Sequence, residues 1–278
     1  MTGIIHESLA EGKGERIPDL TYRRFYDTIF LPMNDEQILE LLSRHVTPRR
    51  LERILEVSAA RTRYLTVVLE DIYYSQNASA VLRSCDCFGV QDVHVIENRN
   101  KLPVINQHVA LGTSLWLSIN RHDAKENNTP ATLRELKEQG YRIVGTVPTR
   151  DAVPLPDFDL SPGKMALVFG NERDGISEAA RELTDEYMTI PMVGFAESFN
   201  ISVSAAVILS HLTQRLRDSE LPWQLLHEEL IELRLKWVRR SAKRADELER
   251  EYYRRYKRSI DLIESGIVEQ DIPVGDQA

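Results

Sequence analysis

The sequence predicts an α/β domain built on a mainly parallel β-sheet covered by helices. Three observations carry this expectation. Short apolar runs recur along the chain at Leu65–Leu69, Val93–Ile96, Tyr141–Val144, Met165–Phe169 and Tyr187–Ile190. Segments with helical spacing of apolar residues stand between several of them, the pattern of β–loop–α units. Three polar loops adjoin these runs: Asn77–Arg83, Phe169–Gly175 and Ile190–Ser202. In α/β sheets ligands collect beyond the carboxyl ends of strands, so the loops suggest one composite site.

The elements follow in order. Residues 1–20 mix Gly, Glu and Lys with little periodicity and read as a loose arm. From Asp35 to about His45, the spacing of Ile38, Leu41 and Leu42 fits a short amphipathic helix. Thr47-Pro48 reads as an N-cap followed by Pro at the first helical position. The helix it opens places Leu51, Ile54, Leu55 and Ser58 on one side, and Arg49, Arg50, Arg53, Arg61 and Arg63 make the region basic. Asn77 reads as the cap of a helix carrying Ala78, Val81, Leu82, Cys85 and Phe88, stopped by Gly89. Thr129-Pro130 opens another helix, ending at Gly140. After Asn200, itself a fitting N-cap, Val203, Ala206, Val207 and Ser210 form a small-residue face suited to close packing. Leu221-Pro222 marks a boundary. Beyond it, Leu226, Leu230, Leu233 and Trp237 make an apolar stripe, continued by Ala245, Leu248, Tyr252, Tyr256 and Ile263. This is one long amphipathic helix, or two, with a frayed tail after Ile267. Three regions result: an arm with a short helix (1–46), the α/β core (47–220) and a basic helical extension (221–278).

With 42% hydrophobic and 28% charged residues, the 278-residue chain has the composition of a soluble globular protein. No apolar run approaches the ~20 residues that span a bilayer, and the N-terminus lacks the basic and apolar regions of a signal peptide. Cys85 and Cys87, two apart on a predicted helix, point in different directions, which argues against a disulfide or zinc site and for the reducing cytoplasm. Dinucleotide, P-loop, zinc-protease and serine-hydrolase motifs are missing. His94 and His108 are too isolated to suggest a metal, and His94 reads as a strand residue with a satisfied hydrogen bond. Net charge is −8, yet residues 234–258 carry +7 and residues 259–278 carry −5, leaving −10 for residues 1–233. Such asymmetry confines phosphate attraction to one face of an acidic protein.

The three loops, in order, read N-A-S-A-V-L-R-S-C-D-C-F-G, A-L-V-F-G-N-E-R-D-G-I-S and I-P-M-V-G-F-A-E-S-F-N-I-S-V-S-A-A. Together they resemble the signature set of the SPOUT methyltransferases, specifically the TrmH (SpoU) branch of RNA ribose 2′-O-methyltransferases, over roughly residues 47–215. The resemblance implies a sheet ending in a deep trefoil knot, which sequence rules alone argue against. It also implies a homodimer with the active site near the subunit interface and S-adenosylmethionine bound in the knot. By motif, the cofactor loops are Thr146-Val147, Gly170-Asn171-Glu172, and Ile190 to Met192 with Ser198 and Ile201. The same resemblance assigns catalysis to Arg83, with Asn77, Glu172, Ser198 and Asn200 around it.

A ribose hydroxyl is a poor nucleophile, so its attack on a methyl sulfonium needs proton removal or stabilised oxyanion charge. A guanidinium gives up its proton too reluctantly to be a ready base, which leaves two accounts: a transiently neutral Arg83, or a charged Arg83 that stabilises the alkoxide, the account favoured here. Arg173 has no role by this reading, and Phe195 and Phe199 depart from the smaller residues common in the family. The terminal helices resemble those of members that methylate guanosine 18 of tRNA. Arg49, Arg50, Arg53, Arg239, Arg240, Lys243 and Arg244 are the expected RNA contacts. Another tRNA or rRNA nucleotide is the alternative substrate, and a knotted RNA-binding or assembly protein without methyl transfer is the alternative of another class.

Overall fold

A computed structural model of the chain describes residues 34–101 and 112–264, the side chains of residues 259–264 excepted. The expected N-terminal arm, His108 and the expected frayed tail lie outside the described residues. Among the described residues seven strands form one parallel sheet: β1 (Leu65–Glu70), β2 (Asp92–Ile96), β3 (Ser118–His122), β4 (Arg142–Thr146), β5 (Val153–Pro154), β6 (Met165–Phe169) and β7 (Glu186–Thr189). The helices are α1 (Asp35–Ser43), α2 (Pro48–Ala59), α3 (Ser75–Phe88), α4 (Thr129–Glu138), α5 (Glu178–Arg181), α6 (Ile201–Arg217), α7 (His227–Ser241) and α8 (Ala245–Glu264). The chain divides into two units, residues 47–237 and a second that contains residues 34–46 and 238–264.

In the larger unit the strand order is β3-β2-β1-β6-β4-β7-β5. The central strands are continuous apolar runs because both of their faces are covered. Leu65, Val67 and Leu69 of β1, with Met165, Leu167 and Phe169 of β6, pack against Val81, Leu82 and Cys85 of α3 and Ile208, Leu209 and Leu212 of α6. The alternate residues Val68, Ala166 and Val168 face Leu133 and Leu136 of α4 and Ala180 of α5 on the other side. Thus α3 and α6, which carry the first and third polar motifs, lie on the same face.

The helix boundaries follow their local chemistry. Thr47 accepts a hydrogen bond from Arg50 N at 3.4 Å, with Pro48 at the first helical position of α2. Gly89 ends α3 in the left-handed region at φ 82°. Two expectations about packing are corrected. Leu55 is 42% exposed rather than sharing the buried side of α2 with Ile54 and Ser58. On α6 the buried residues are Ile201, Ala205, Ile208, Leu209, Leu212, Thr213 and Leu216, while Val203 and Val207, expected to pack closely, remain exposed. The strands β3 and β5 were not evident from apolar runs. The first reads Ser-Ile-Asn-Arg-His at one sheet edge, and the second is two residues long at the other.

In the second unit, α1 begins in a capping box: Asn34 accepts from Gln37 N at 2.9 Å, and Gln37 accepts from Asn34 N at 3.0 Å. Ile38 and Leu42 are its buried positions, and α1 packs against α8. The C-terminal stripe belongs to two helices, separated where Arg244 takes a φ of 61°. Of its members, Leu233 and Trp237, which belong to the larger unit, and Ala245 of the second are buried, whereas Leu226 of the larger unit is 66% exposed.

Candidate active site

The strands of a parallel sheet all deliver their following loops to one edge, so residues far apart in sequence converge there. At this edge a cavity of about 630 Å³ is lined by the loops after β4, β6 and β7 and by the first turns of α3 and α6. The size lies within the ~300–1,000 Å³ of small-molecule sites. Its walls mix apolar side chains (Val147, Met188, Ile190, Ile208) with polar ones (Thr149, Asn171, Ser198, Ser204).

A hydrogen-bond chain ties the three motif loops together. Glu172, after β6, accepts from Tyr73 N at 2.9 Å, from Tyr74 N at 3.3 Å and from Asn77 Nδ2 at 2.7 Å. These donors sit at the start of α3, where a carboxylate is favoured by the helix dipole. The expectation that Asn77 caps this helix is therefore corrected: Tyr74 is the N-cap residue and makes no side-chain capping bond. Asn77 lies within the first turn, and Glu172 holds the backbone amides of Tyr73 and Tyr74 that lead into the helix. Asn77 Oδ1 in turn accepts from Asn200 Nδ2 at 3.2 Å. Asn200 caps α6 as expected, its Oδ1 accepting from Ser202 N at 2.8 Å and Ser202 Oγ at 2.6 Å.

The loop after β6 is held from beneath. Asn171 and Gly175 exchange backbone hydrogen bonds of 2.8 and 2.9 Å, closing a tight turn. A Cβ on Gly170 would lie 2.2 Å from the Gly175 carbonyl carbon, so only glycine permits this fold-back. Asn171 Nδ2 donates to Asp71 O at 2.7 Å. Asp71, directly after β1, is buried with φ 53°, a conformation more accessible to Asp than to most residues. Its carboxylate accepts from Asn98 N at 3.1 Å, Asn100 N at 2.8 Å and Arg99 Nε at 3.2 Å, while Arg99 also reaches Asp174 at 3.0 Å. Beside it, buried Glu70 accepts from Thr129 Oγ1, Ser177 N and Ser177 Oγ at 2.6–2.9 Å. These carboxylates fasten the ends of β1, β2 and β6 to one another.

The structure places the sequence-selected residues as follows. Thr146, Val147, Gly170, Asn171, Glu172, Ile190, Met192, Ser198 and Ile201 all line the cavity, as do Asn77 and Asn200. Arg83 does not. It is exposed on α3, about 9 Å along the helix from Asn77 and roughly 120° around it. Tyr74, Thr149, Arg173 and Arg181 also line the cavity and were not selected from sequence. The exposed Tyr73-Tyr74 pair directly before the first motif was the available signal for Tyr74. Arg173 stands 4.2 Å from the Tyr73 ring centroid.

Of the expected RNA contacts in the larger unit, Arg49, Arg50 and Arg53 are exposed on α2, with Arg53 paired to Glu56 at 2.8 Å. In the second unit, Arg239 pairs with Glu249 at 2.8 Å, Arg244 pairs with Glu247, and Arg240 and Lys243 are exposed. His94, as expected, lies in a strand with a partner: its Nδ1 is 3.1 Å from His122 Nε2. Burial, with the second ring beside it, lowers the His94 pKa to about 4. Burial raises that of the Cys85 thiol, which is free, as is exposed Cys87. Among the described residues, no group of His, Cys, Asp and Glu is arranged to hold a metal ion, and no helix is long and apolar enough to cross a membrane.

Comparison with known proteins agrees with this geometry. Residues 64–210 match the model of the SpoU rRNA Methylase family. A tRNA (guanosine(18)-2′-O)-methyltransferase of Borreliella burgdorferi is 40% identical over 212 residues, which cover 75% of this chain and 94% of the relative. The enzyme of the same name from Escherichia coli is 31% identical over 63% of this chain and 73% of its own length. The crystal structure of an A. aeolicus TrmH/SpoU tRNA modifying enzyme superposes with a TM-score of 0.61 at 30% identity, covering 69% of this chain and 96% of that one. With more than half its length matched to the family model and its sheet shared with a solved member, the chain belongs to the SpoU methylase family.

Proposed function

We propose that this protein methylates the ribose 2′-hydroxyl of guanosine 18 in tRNA, using S-adenosylmethionine, in the cytoplasm. The observation that carries the reading is the chain Glu172–Asn77–Asn200–Ser202, which closes three motif loops around one cavity. The mixed apolar and polar walls fit a molecule that joins a flat purine to a charged amino-acid tail. When bound, that molecule supplies an electrophilic methyl group on a sulfonium.

This chain's own residues supply the rest. Both Glu172 carboxylate oxygens are engaged by N–H donors, so we assign it a positioning role rather than that of a base. Asn77 and Asn200 hold the mouth, and Ser198 lines the substrate side. The Arg83 guanidinium stabilises the developing alkoxide, the proton passing to phosphate or water.

Because Arg83 lies off the cavity, this assignment calls for a homodimer in which a second copy completes each site. Support comes from apolar side chains left exposed beside the cavity: Val193, Phe195 and Phe199 on the loop after β7, and Val203 and Val207 on α6. The trefoil knot is part of the same proposal. The chain leaves β4 for the edge strand β5, returns to the centre as β6, then inserts β7 between β4 and β5, the kind of crossing a knot requires. We also propose that the catalytic core spans residues 47–220 and that residues 221–237, which belong to the larger unit, begin the basic extension.

The test is transfer of labelled methyl from S-adenosylmethionine to unmodified tRNA, with the modified nucleotide mapped. Label at guanosine 18 supports the proposal. Label at position 34, or in ribosomal RNA alone, refutes the substrate, and RNA binding without cofactor binding refutes the enzyme.

A further inference from the structure

A second cavity, of about 570 Å³, lies at the opposite edge of the sheet. Its lining includes Ala60 and Arg61 before β1, Gly89 before β2 and Trp116 before β3, so it sits at the amino ends of these strands. A five- or six-residue strand separates the two edges by about 17–20 Å. One ligand moiety cannot fill both.

The lining is cationic and aromatic in a protein whose net charge is −8. Among the described residues of the lining, Arg50, Arg53, Arg61 and Arg217 face only Glu56 and Asp86 as acids, and Trp116 and the buried Trp237 are the aromatic members. The Arg50 guanidinium lies 5.6 Å from the Trp116 ring centroid, and the two indoles meet edge to face at 5.8 Å. Arg61, 1% exposed, pairs with Asp86 and stands 5.3 Å from the Trp237 ring, yet its Nε–H is buried without an acceptor. Such an orphaned donor marks a site that lacks a partner. Arg217 Nη2 donates to Phe88 O at 2.8 Å across Gly89, where a Cβ would meet that guanidinium nitrogen at 3.1 Å and Ala60 O at 2.5 Å. Glycine thus lets Arg217 stand at the wall.

Guanidinium and indole planes stack nucleobases, and arginines pair with phosphates. We infer that this cavity binds a phosphate-bearing nucleotide unit of the RNA, remote from the nucleotide that reacts. The source of the nucleotide rests on the proposed RNA substrate, whereas the chemistry of the cavity does not.

The test titrates the full-length protein with pentaadenylate and with adenosine 5′-monophosphate, read by tryptophan fluorescence. Pentaadenylate should quench the signal, and Arg50→Ala/Arg217→Ala should weaken its binding at least tenfold. In methyl transfer the same variant should raise the KM for tRNA about tenfold more than it changes kcat, with S-adenosylmethionine affinity retained. Arg50→Ala alone, on an exposed side chain, should show a smaller loss of the same kind and guards against misfolding of the double variant. Affinity unchanged in both variants overturns the inference. Mononucleotide binding as tight as the pentamer overturns the RNA source in favour of a free nucleotide. Arginine-dependent pentamer binding by a protein that methylates no tRNA supports the cavity while refuting the proposed function. Methylation of tRNA with arginine-independent pentamer binding refutes the cavity alone.

Discussion

The two edges of the sheet hold cavities of similar size built by opposite means. At the carboxyl edge, amides, a serine and one carboxylate join loops that lie 95 and 123 residues apart in sequence, and no arginine takes part in that chain. At the amino edge, guanidinium groups and indoles form the wall. The first arrangement fixes a shape, and the second offers charge and stacking surface. An acidic protein can therefore keep a precise pocket for a small molecule and still present phosphate-attracting ground elsewhere.

The sharpest break in this contrast is Arg83, which lies at neither cavity of a single chain. Arg83→Ala should lower kcat for methyl transfer by about 10²–10³-fold, the usual loss for one oxyanion-stabilising donor. Isothermal titration should find its S-adenosylmethionine affinity retained, and a loss of both quantities would place Arg83 in cofactor binding instead.

Next is Glu172, whose removal strips acceptors from three N–H donors. Glu172→Ala should cost about 10–100-fold in kcat/KM, and Glu172→Gln, which can still accept, should recover part of it. Because the role is positional, the pH–rate profile of the Gln variant should keep the wild-type shape. A lost acidic limb would make Glu172 a base.

Asp71 anchors the loops after β1, β2 and β6 rather than the reaction. Asp71→Ala leaves two half-buried backbone donors without their acceptor and keeps an unfavourable φ, so urea unfolding should show a loss of about 2–3 kcal/mol. An unchanged midpoint would remove it from the framework.

The smallest effect belongs to the His94–His122 pair, away from either cavity. Both imidazoles have pKa values lowered by burial, so between about pH 4 and 6.5 the unfolded chain binds more protons than the folded one. The stability is fully present above the unfolded pKa and is lost as pH falls. From pH 6.5 to 5 the loss attributable to His94 should be about 1–2 kcal/mol, and His94→Gln should flatten that slope in denaturation curves.

The carboxyl-edge site was legible in sequence because its chemistry sits in short local strings. Gly170, Asn171 and Glu172 form one, and Ser198, Asn200 and Ile201 another. The central strands were legible for a related reason, since burial on both faces leaves unbroken apolar runs such as Leu65–Leu69. What escaped depended on contacts distant in sequence. The polar edge strand Ser118–His122 carries no apolar run, and the hold of Glu172 on the start of α3 arises 95 residues from Asn77. The exposed Val203–Val207 face of α6 looked like core because apolar residues have the same spacing whether they pack within a chain or against another. The amino-edge cavity was hidden for the same reason, its Arg50, Gly89, Trp116 and Arg217 being scattered over most of the larger unit.

The central claim is that the three-loop cavity directs a methyl group to the 2′-oxygen of guanosine 18. It is tested most directly with two tRNA transcripts that differ only in carrying guanosine or 2′-deoxyguanosine at that position. The account predicts methyl incorporation into the first and none into the second, with both transcripts bound. Equal incorporation into the two would contradict it.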